Sequence, residues 1–267
     1  KDVTAVTTFR TQSVGGSNGL IYNVISNVGN PELRWEKVSM LNLGYDFGIL
    51  SNRITGILEF YWKKGIDLMG DNPLPPSTGS TTLKGNTANS TGHGIDMTIH
   101  SRNIKNKSFE WSSDLLFSHV TDIVTKYGVT ATSAQYLNGR GNNFGYSSGT
   151  YYPLEGKPLF ALYSYRFAGL DPTNGDPMGY LNGVKSNNVT AIIAGTLPDS
   201  MVYHGPSRPP CFGSLRNNFS FHGWTLSFNL VYKFNYYFRR NTISNVTTIA
   251  AWNLHKDYYK RWQQPGD

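Results

Sequence analysis

The sequence predicts an all-β protein, and more narrowly an antiparallel segment of a transmembrane β-barrel. The first observation is a strand over 224–239, with Trp224, Leu226, Phe228, Leu230, Tyr232, Phe234, Tyr236 and Phe238 at even positions. Thr225, Ser227, Asn229, Lys233, Asn235 and Arg239 are among its odd positions. Successive side chains leave a strand on opposite sides, so one face is apolar and the other mostly polar. The run suits a tilted bilayer crossing, which takes roughly 9–11 residues, better than a soluble strand of about five or six. Aromatics flank an aliphatic band, as in lipid-facing strands. The second observation is composition: 15% charged residues, 14% aromatics, 28 Gly and 13 Pro in 267 residues. Soluble domains carry about 25% charged residues. The third is an alternation of tight turns with long loops.

The strands are justified in order. Strand 37–49 sets Leu41, Leu43, Tyr45, Phe47 and Ile49 against Asn42, Gly44 and Asp46, then turns through Ser51–Asn52. Strand 53–63 answers it, with Ile54, Leu58, Phe60 and Trp62 opposing Arg53, Thr55, Glu59 and Lys63. After a connection marked by Asp71-Asn72-Pro73 and Pro75-Pro76-Ser77-Thr78-Gly79, strand 92–101 sets Ile95, Met97 and Ile99 against Asp96, Thr98 and His100. A short turn leads to strand 109–120, where Trp111, Leu115 and Phe117 oppose Glu110, Ser112 and Asp114. Strand 158–169 carries Leu159, Ala161, Tyr163, Tyr165 and Phe167 opposite Ser164 and Arg166, with Phe160 and Leu162 blurring its polar face. Asn174–Gly175 marks a type I′ hairpin into a short strand near 177–184. Strand 211–221 sets Leu215, Phe219 and Phe221 against Ser214, Arg216, Asn218 and Ser220, and His222–Gly223 turns it into 224–239.

About eight strands result, within one barrel domain over 1–267 whose long, extracellular loops fall near 1–36, 64–91, 121–157, 185–210 and 240–267. The polar face must accommodate Asp46, Glu59, Tyr61, Asp96, His100, Glu110, Asp114, Arg166, Arg216 and Lys233, which suits a wide, wet interior. The sequence stops in a loop at Trp262-Gln263-Gln264-Pro265-Gly266-Asp267 without a strand to pair with the first, so a segment of a larger barrel is expected. No stretch approaches the roughly 18 consecutive apolar residues of a membrane helix. The mean hydropathy of −0.38 does not oppose a barrel, since only alternate residues face lipid. The rival architecture is a soluble or surface-attached all-β binding module with its greasy faces buried between two sheets.

Several function classes are disfavoured. The net charge of +7 comes without a basic cluster or recognition helix, so nucleic acid is not an expected partner. Cys211 is the single cysteine, which rules out an internal disulfide. The start, KDVTAV, lacks signal-peptide features, so processing or truncation is inferred. Histidines 93, 100, 119, 204, 222 and 255 show no metal-ligand spacing, and Glu32 and Glu36 fit a loop better than a hydrolase pair. Asp171-Pro172-Thr173-Asn174-Gly175-Asp176 lacks the spacing and distal Glu of a calcium loop and reads as a turn. Asn-x-Ser/Thr sequons at Asn89, Asn106, Asn188, Asn218 and Asn245 reflect an Asn- and Thr-rich chain. No enzyme activity, metal or cofactor is expected.

Gly29-Asn30-Pro31-Glu32-Leu33-Arg34-Trp35-Glu36, Asp46-Phe47-Gly48, Pro75-Pro76-Ser77-Thr78-Gly79, Glu155-Gly156-Lys157-Pro158, Ala168-Gly169-Leu170-Asp171-Pro172-Thr173-Asn174-Gly175-Asp176-Pro177 and Arg261-Trp262-Gln263-Gln264-Pro265-Gly266-Asp267 resemble, in order and spacing, the SusC/RagA family. Its members are TonB-dependent outer-membrane transporters of Bacteroidota. The resemblance implies a central-to-late part of a 22-stranded barrel, with the plug, the TonB-contacting segment and the closing strands outside this sequence. It also implies a bacterial outer-membrane location, a SusD/RagB-like surface lipoprotein as lid, TonB as energy source, and an oligosaccharide or peptide as cargo. A siderophore or cobalamin receptor is the alternative within transport. Lumen-facing candidates are Asp46, Glu59, Asp96, Glu110, Asp114, Arg166, Arg216, Asn229 and Lys233. Candidates for substrate or lid contact in the loops are Trp35, Tyr136, Phe144, Tyr146, Tyr151, Tyr152, Tyr180 and Trp252, because aromatic faces bind both sugars and peptides.

Overall fold

The computed structural model describes residues 7–13, 21–78, 80, 82–129, 131–138, 152–240 and 256–266. In chain order its strands are β1 (Thr8–Ser13), β2 (Ile21–Asn27), β3 (Lys37–Ile49), β4 (Ile54–Pro73), β5 (Thr82–Lys105) and β6 (Phe109–Tyr127). Helix α1 (Ser133–Asn138) follows, then β7 (Ala161–Ser164), β8 (Gly169–Leu170), β9 (Pro177–Leu181), β10 (Val184–Ser186), helix α2 (Val189–Gly195), β11 (Val202–Pro206), β12 (Cys211–Phe221) and β13 (Trp224–Phe234). The chain divides into two compact units: 1–130 with 153–159 and 209–235, and 131–152 with 160–208 and 236–267.

The first unit is built on one six-stranded antiparallel sheet in the order β13-β12-β6-β5-β4-β3, with β1 and β2 forming a separate hairpin. Two of its turns, β3–β4 and β12–β13, use the left-handed region that type I′ hairpins require. Ser51 and Asn52 have φ of 55° and 60°, and His222 and Gly223 have 44° and 83°. The register assigns each residue to a face. Tyr45, Leu58, Met97, Phe117, Gly213 and Tyr232 form one cross-strand row. The next row, on the opposite face, is Gly44, Glu59, Asp96, Ser118, Phe212 and Lys233. The row that ends at the β3–β4 turn, Ile49–Ile54, reaches Asn217 in β12, whereas the β12–β13 turn closes four residues later, at Phe221–Trp224. The turns are therefore offset by about one residue per strand, the shear that tilts strands by roughly 36° in a closed barrel.

Glycine meets an aromatic at three cross-strand positions. A Cβ on Gly213 would lie 2.0 Å from the Leu116 carbonyl oxygen and 2.6 Å from the Tyr232 hydroxyl. Tyr232 lies across that gap and donates to the Leu116 oxygen at 2.7 Å. The Phe47 ring covers Gly56, and the Tyr61 ring covers Gly94 on the other face. Each ring shields backbone that its glycine leaves bare.

Among the described residues, no second layer covers the apolar face of this sheet. Leu226 is 64% exposed, Leu230 61% and Leu43 55%, while Val124 and Val129 are the buried hydrophobic residues among the described part of the unit. Sandwich strands would bury these side chains between sheets about 10 Å apart. One polar inclusion is satisfied within the same face. Asn217, 8% exposed, accepts from Trp111 Nε1 at 3.0 Å and Ser113 Oγ at 2.7 Å. Phe219 stacks on Trp111 and Phe228, placing an aromatic cluster beside it. Among the described residues, no helix is long and apolar enough to cross a membrane, which says nothing about strands.

The second unit is organised differently. β7 pairs with β11, and β8, β9 and β10 form a three-stranded sheet. Its core contains Leu162, Tyr163, Ile192 and Met201, with Ile192 of α2 against Gly179. Arg239 donates to the Tyr163 carbonyl, and burial pushes its guanidinium down from the ordinary value.

Strands 37–49 and 211–221 have the expected bounds, but others differ for physical reasons. β4, β5 and β6 extend well past 63, before 92 and past 120, so much of the segment near 64–91 is paired backbone. Those extensions lack an alternating greasy face and are invisible to a hydrophobic pattern. Expected strand 158–169 is not in the six-stranded sheet. Ala161, Leu162 and Tyr163 are consecutively buried, which is two-sided packing in place of alternation. The strand near 177–184 is a hairpin, because Asn182 and Gly183 turn it with φ of 51° and 82°. The expected type I′ turn at Asn174–Gly175 is instead a longer loop in which Gly175, but not Asn174, has positive φ. β13 ends at Phe234, since Asn235 turns out of the strand with φ of 60°. Tyr236 and Phe238 thus lie beyond it, and Tyr237 covers Gly205.

Candidate functional site

The polar face of the six-stranded sheet gathers most of the candidate residues. Register places Asp46, Glu59, Asp96, Glu110, Asp114, Arg216, Asn229 and Lys233 on it together. Glu59 and Asp96 are directly opposed, and Asn42 Nδ2 reaches Glu59 at 3.5 Å. Like charges facing each other across a ladder are unfavourable, so water or a cationic ligand group would relieve them. Asp114 is more fully engaged. His100 Nδ1 lies 2.7 Å from one carboxylate oxygen, Asn218 Nδ2 donates to the other at 3.3 Å, and Ser227 Oγ donates to Asn218 Oδ1 at 2.7 Å. Arg216 opposes both Asp114 and Asn229 in register, is exposed, and forms no ion pair among the described residues. Glu110 pairs with Lys105 at 3.7 Å. Asp46, Thr55, Thr98, His100 and Arg102 line a broad, shallow hollow of about 750 Å³. The roles of Asn218 and Ser227 were legible only as polar positions, because what joins them to Asp114 is register.

The segment before β3 is a strap held to β4 and β5. Arg34 N–H donates to Asn86 Oδ1 at 2.8 Å while Asn86 Nδ2 donates back to the Arg34 carbonyl at 2.9 Å. Arg34 also pairs with Asp67 at 3.1 Å, Glu36 accepts from the Met69 N–H at 2.7 Å, and Asn30 donates to the Lys84 carbonyl at 2.8 Å. Trp35 stands 84% exposed on this anchored backbone.

In the second unit, Arg166 stacks over the Tyr180 ring at 4.5 Å, and both line a cavity of about 320 Å³. Tyr136 is buried, in edge contact with Tyr152 and Tyr163. Phe144, Tyr146, Tyr151 and Trp252 lie outside the described residues. The 171–176 loop uses its own oxygens: Asp171 Oδ1 accepts from the Thr173 N–H at 2.8 Å and Asn174 Oδ1 from the Asp176 N–H at 3.0 Å. Trp262 packs over Gly175, where a Cβ would meet the indole at 2.5 Å. No group of three potential metal ligands occurs among the described residues.

An open apolar face, a charged opposite face and a barrel-like stagger together call for comparison with membrane barrels. The TonB-dependent receptor SusC of Bacteroides thetaiotaomicron is 26% identical over 240 residues, 84% of this chain and 22% of its own length. The chain is similar to a segment of SusC-like TonB-dependent receptors. TonB-dependent receptors P39 and P3 of Formosa agariphila are 25% and 27% identical over 157 and 156 residues. These matches cover 57% and 58% of this chain and 14% and 15% of the relatives. The chain thus spans less than a quarter of the curated relatives' length. No protein-family model matches it. The SusC-like segment superposes on the RagAB peptide importer with a TM-score of 0.66 in the open-open state and 0.64 in the closed-closed state. Those alignments cover 88% and 87% of this chain and 24% of each RagAB chain, at 20% and 21% identity. The SusC-like segment is therefore all-β, antiparallel and of transmembrane-barrel type, without being a closed barrel by itself. These relatives are named as receptors or transporters, not as enzymes.

Proposed function

We propose that this chain forms part of the wall of an energy-coupled importer in a bacterial outer membrane. The observation carrying this reading is the six-stranded sheet whose apolar face is uncovered while its other face bears the charges, joined to a likeness to SusC over 84% of the chain. Lipid replaces the missing second layer, and the polar face lines a plugged lumen. TonB acts through a part of the protein outside this segment. A SusD/RagB-like lipoprotein covers the mouth, and the cargo is an oligosaccharide or peptide. Asp46, Glu59, Asp96, Arg216, Asn229 and Lys233 are the wall groups proposed to meet cargo, whereas Asp114 is held by His100 and Asn218.

The test uses the full-length protein in its native host. Detergent should be required for its extraction, a large lipoprotein should co-purify, and uptake of the co-purifying oligosaccharide or peptide should stop when TonB is deleted. Recovery in the aqueous phase without detergent would overturn the barrel. Uptake undiminished without TonB would overturn energy coupling.

A further inference from the structure

We infer that the cavity beside Arg166 is a binding subsite for a carboxylate carried by the cargo. This rests on the importer reading for its biological setting, but the binding chemistry stands on the cavity's own geometry. The Arg166 guanidinium carbon lies 4.5 Å from the centre of the Tyr180 ring, a cation–π contact that holds the charge at the cavity wall. Its fork of N–H groups matches the two oxygens of a carboxylate. No acidic side chain among the described residues pairs with Arg166, and none lines the cavity. The same wall carries Asn182 and Ser200 as further hydrogen-bonding groups, with Leu197 as an apolar contact. Asn182 is held in place by the left-handed turn it shares with Gly183. The volume of about 320 Å³ suits one residue of a chain, a terminal amino acid or a single sugar acid, rather than a whole oligomer.

Two cargo types carry this group: a peptide, at its C-terminus or an acidic side chain, and a uronic-acid glycan. Calorimetric titration of the full-length transporter with its co-purified lipoprotein separates them. The probes are trialanine and its C-terminal amide, and trigalacturonate and its methyl ester. One of the two free acids should bind, with its blocked form about 10- to 100-fold weaker, the span expected for losing a charge-assisted hydrogen-bonded pair. Whichever acid binds identifies the cargo class. Arg166→Ala should abolish the preference for the free acid, and Arg166→Lys should restore part of it. Tyr180→Leu, which removes the platform and leaves the charge, should weaken acid binding. Equal binding of acid and blocked form, binding of neither acid, or a preference that survives Arg166→Ala would each overturn the subsite. Uptake that requires TonB yet is unchanged in Arg166→Ala would sink the subsite and leave the importer standing. TonB-independent uptake would sink the importer reading without altering what the titration says of the cavity.

Discussion

Gly213 shows how a single side chain is dictated by its neighbours across the sheet. Its backbone runs close enough to the Leu116 carbonyl that an added Cβ would lie 2.0 Å from it, and Tyr232 completes the contact by donating to that oxygen. Gly213→Ala should therefore destabilise the assembled barrel by about 1–3 kcal/mol, the usual range for overpacking. Heat-modifiability of the full-length protein on semi-native gels would read this as a lower unfolding temperature, and an unchanged temperature would refute the close approach. Asn86 is a second such residue, exchanging two hydrogen bonds with the Arg34 backbone as another strand would. Asn86→Ala should release the strap, seen as faster proteolysis near Arg34 with barrel assembly retained.

Strands are where the two faces can be set against each other. Leu230 and Asn229 are neighbours in β13, both exposed, yet they project to opposite sides. Leu230→Arg should cost about 2–4 kcal/mol if that face meets the bilayer midplane, and should reduce the amount of folded protein in the outer membrane. Asn229→Arg should be tolerated, because a wet lumen accepts charge. Equal loss from both substitutions would mean that the sheet has no lipid side. Residue alternation made this face assignment legible, since period-two patterning is a direct record of what each side of a strand touches. The failures have the same origin: the outer part of β4 mixes apolar and polar residues without a consistent face, that of β5 is mostly polar, and β7 is apolar on both faces, so none carries the alternating record.

At the scale of the molecule, connectivity separates the sheet from the second unit. β6 and β12 are direct antiparallel neighbours, with His119 opposite Cys211 and the Val120 N–H bonded to the Pro210 carbonyl, although 131–208 lie between them in sequence. Short Gly/Ser linkers in place of 131–152 and of 160–208, with 153–159 of the first unit kept, should therefore leave barrel assembly intact in the full-length protein, while uptake is lost. Membrane-fraction blotting and a transport assay would check the two halves, and failure of the shortened protein to assemble would show that the removed segments of the second unit are needed for folding. The candidate site was legible in parts only. Asp46, Glu59, Asp96 and Arg216 could be placed on the polar side from alternation, but their order across the sheet depends on register. Arg166 was readable as a charge in an apparent strand, whereas its stacking on Tyr180 depends on a fold that alternation does not encode.

By itself, the sequence determined that this chain is all-β, that its long strands carry one greasy and one polar face, and that tight turns join β3 to β4 and β12 to β13. These are local properties: side-chain alternation and positive-φ turns are set by residues adjacent in the chain. The tertiary structure alone decided that no second layer among the described residues covers the greasy face, that the strands are offset by about one residue each, and that 160–208 belong to a separate unit. Those are non-local properties, settled by which strands pair and in what register, and they turn an amphipathic pattern into a barrel wall.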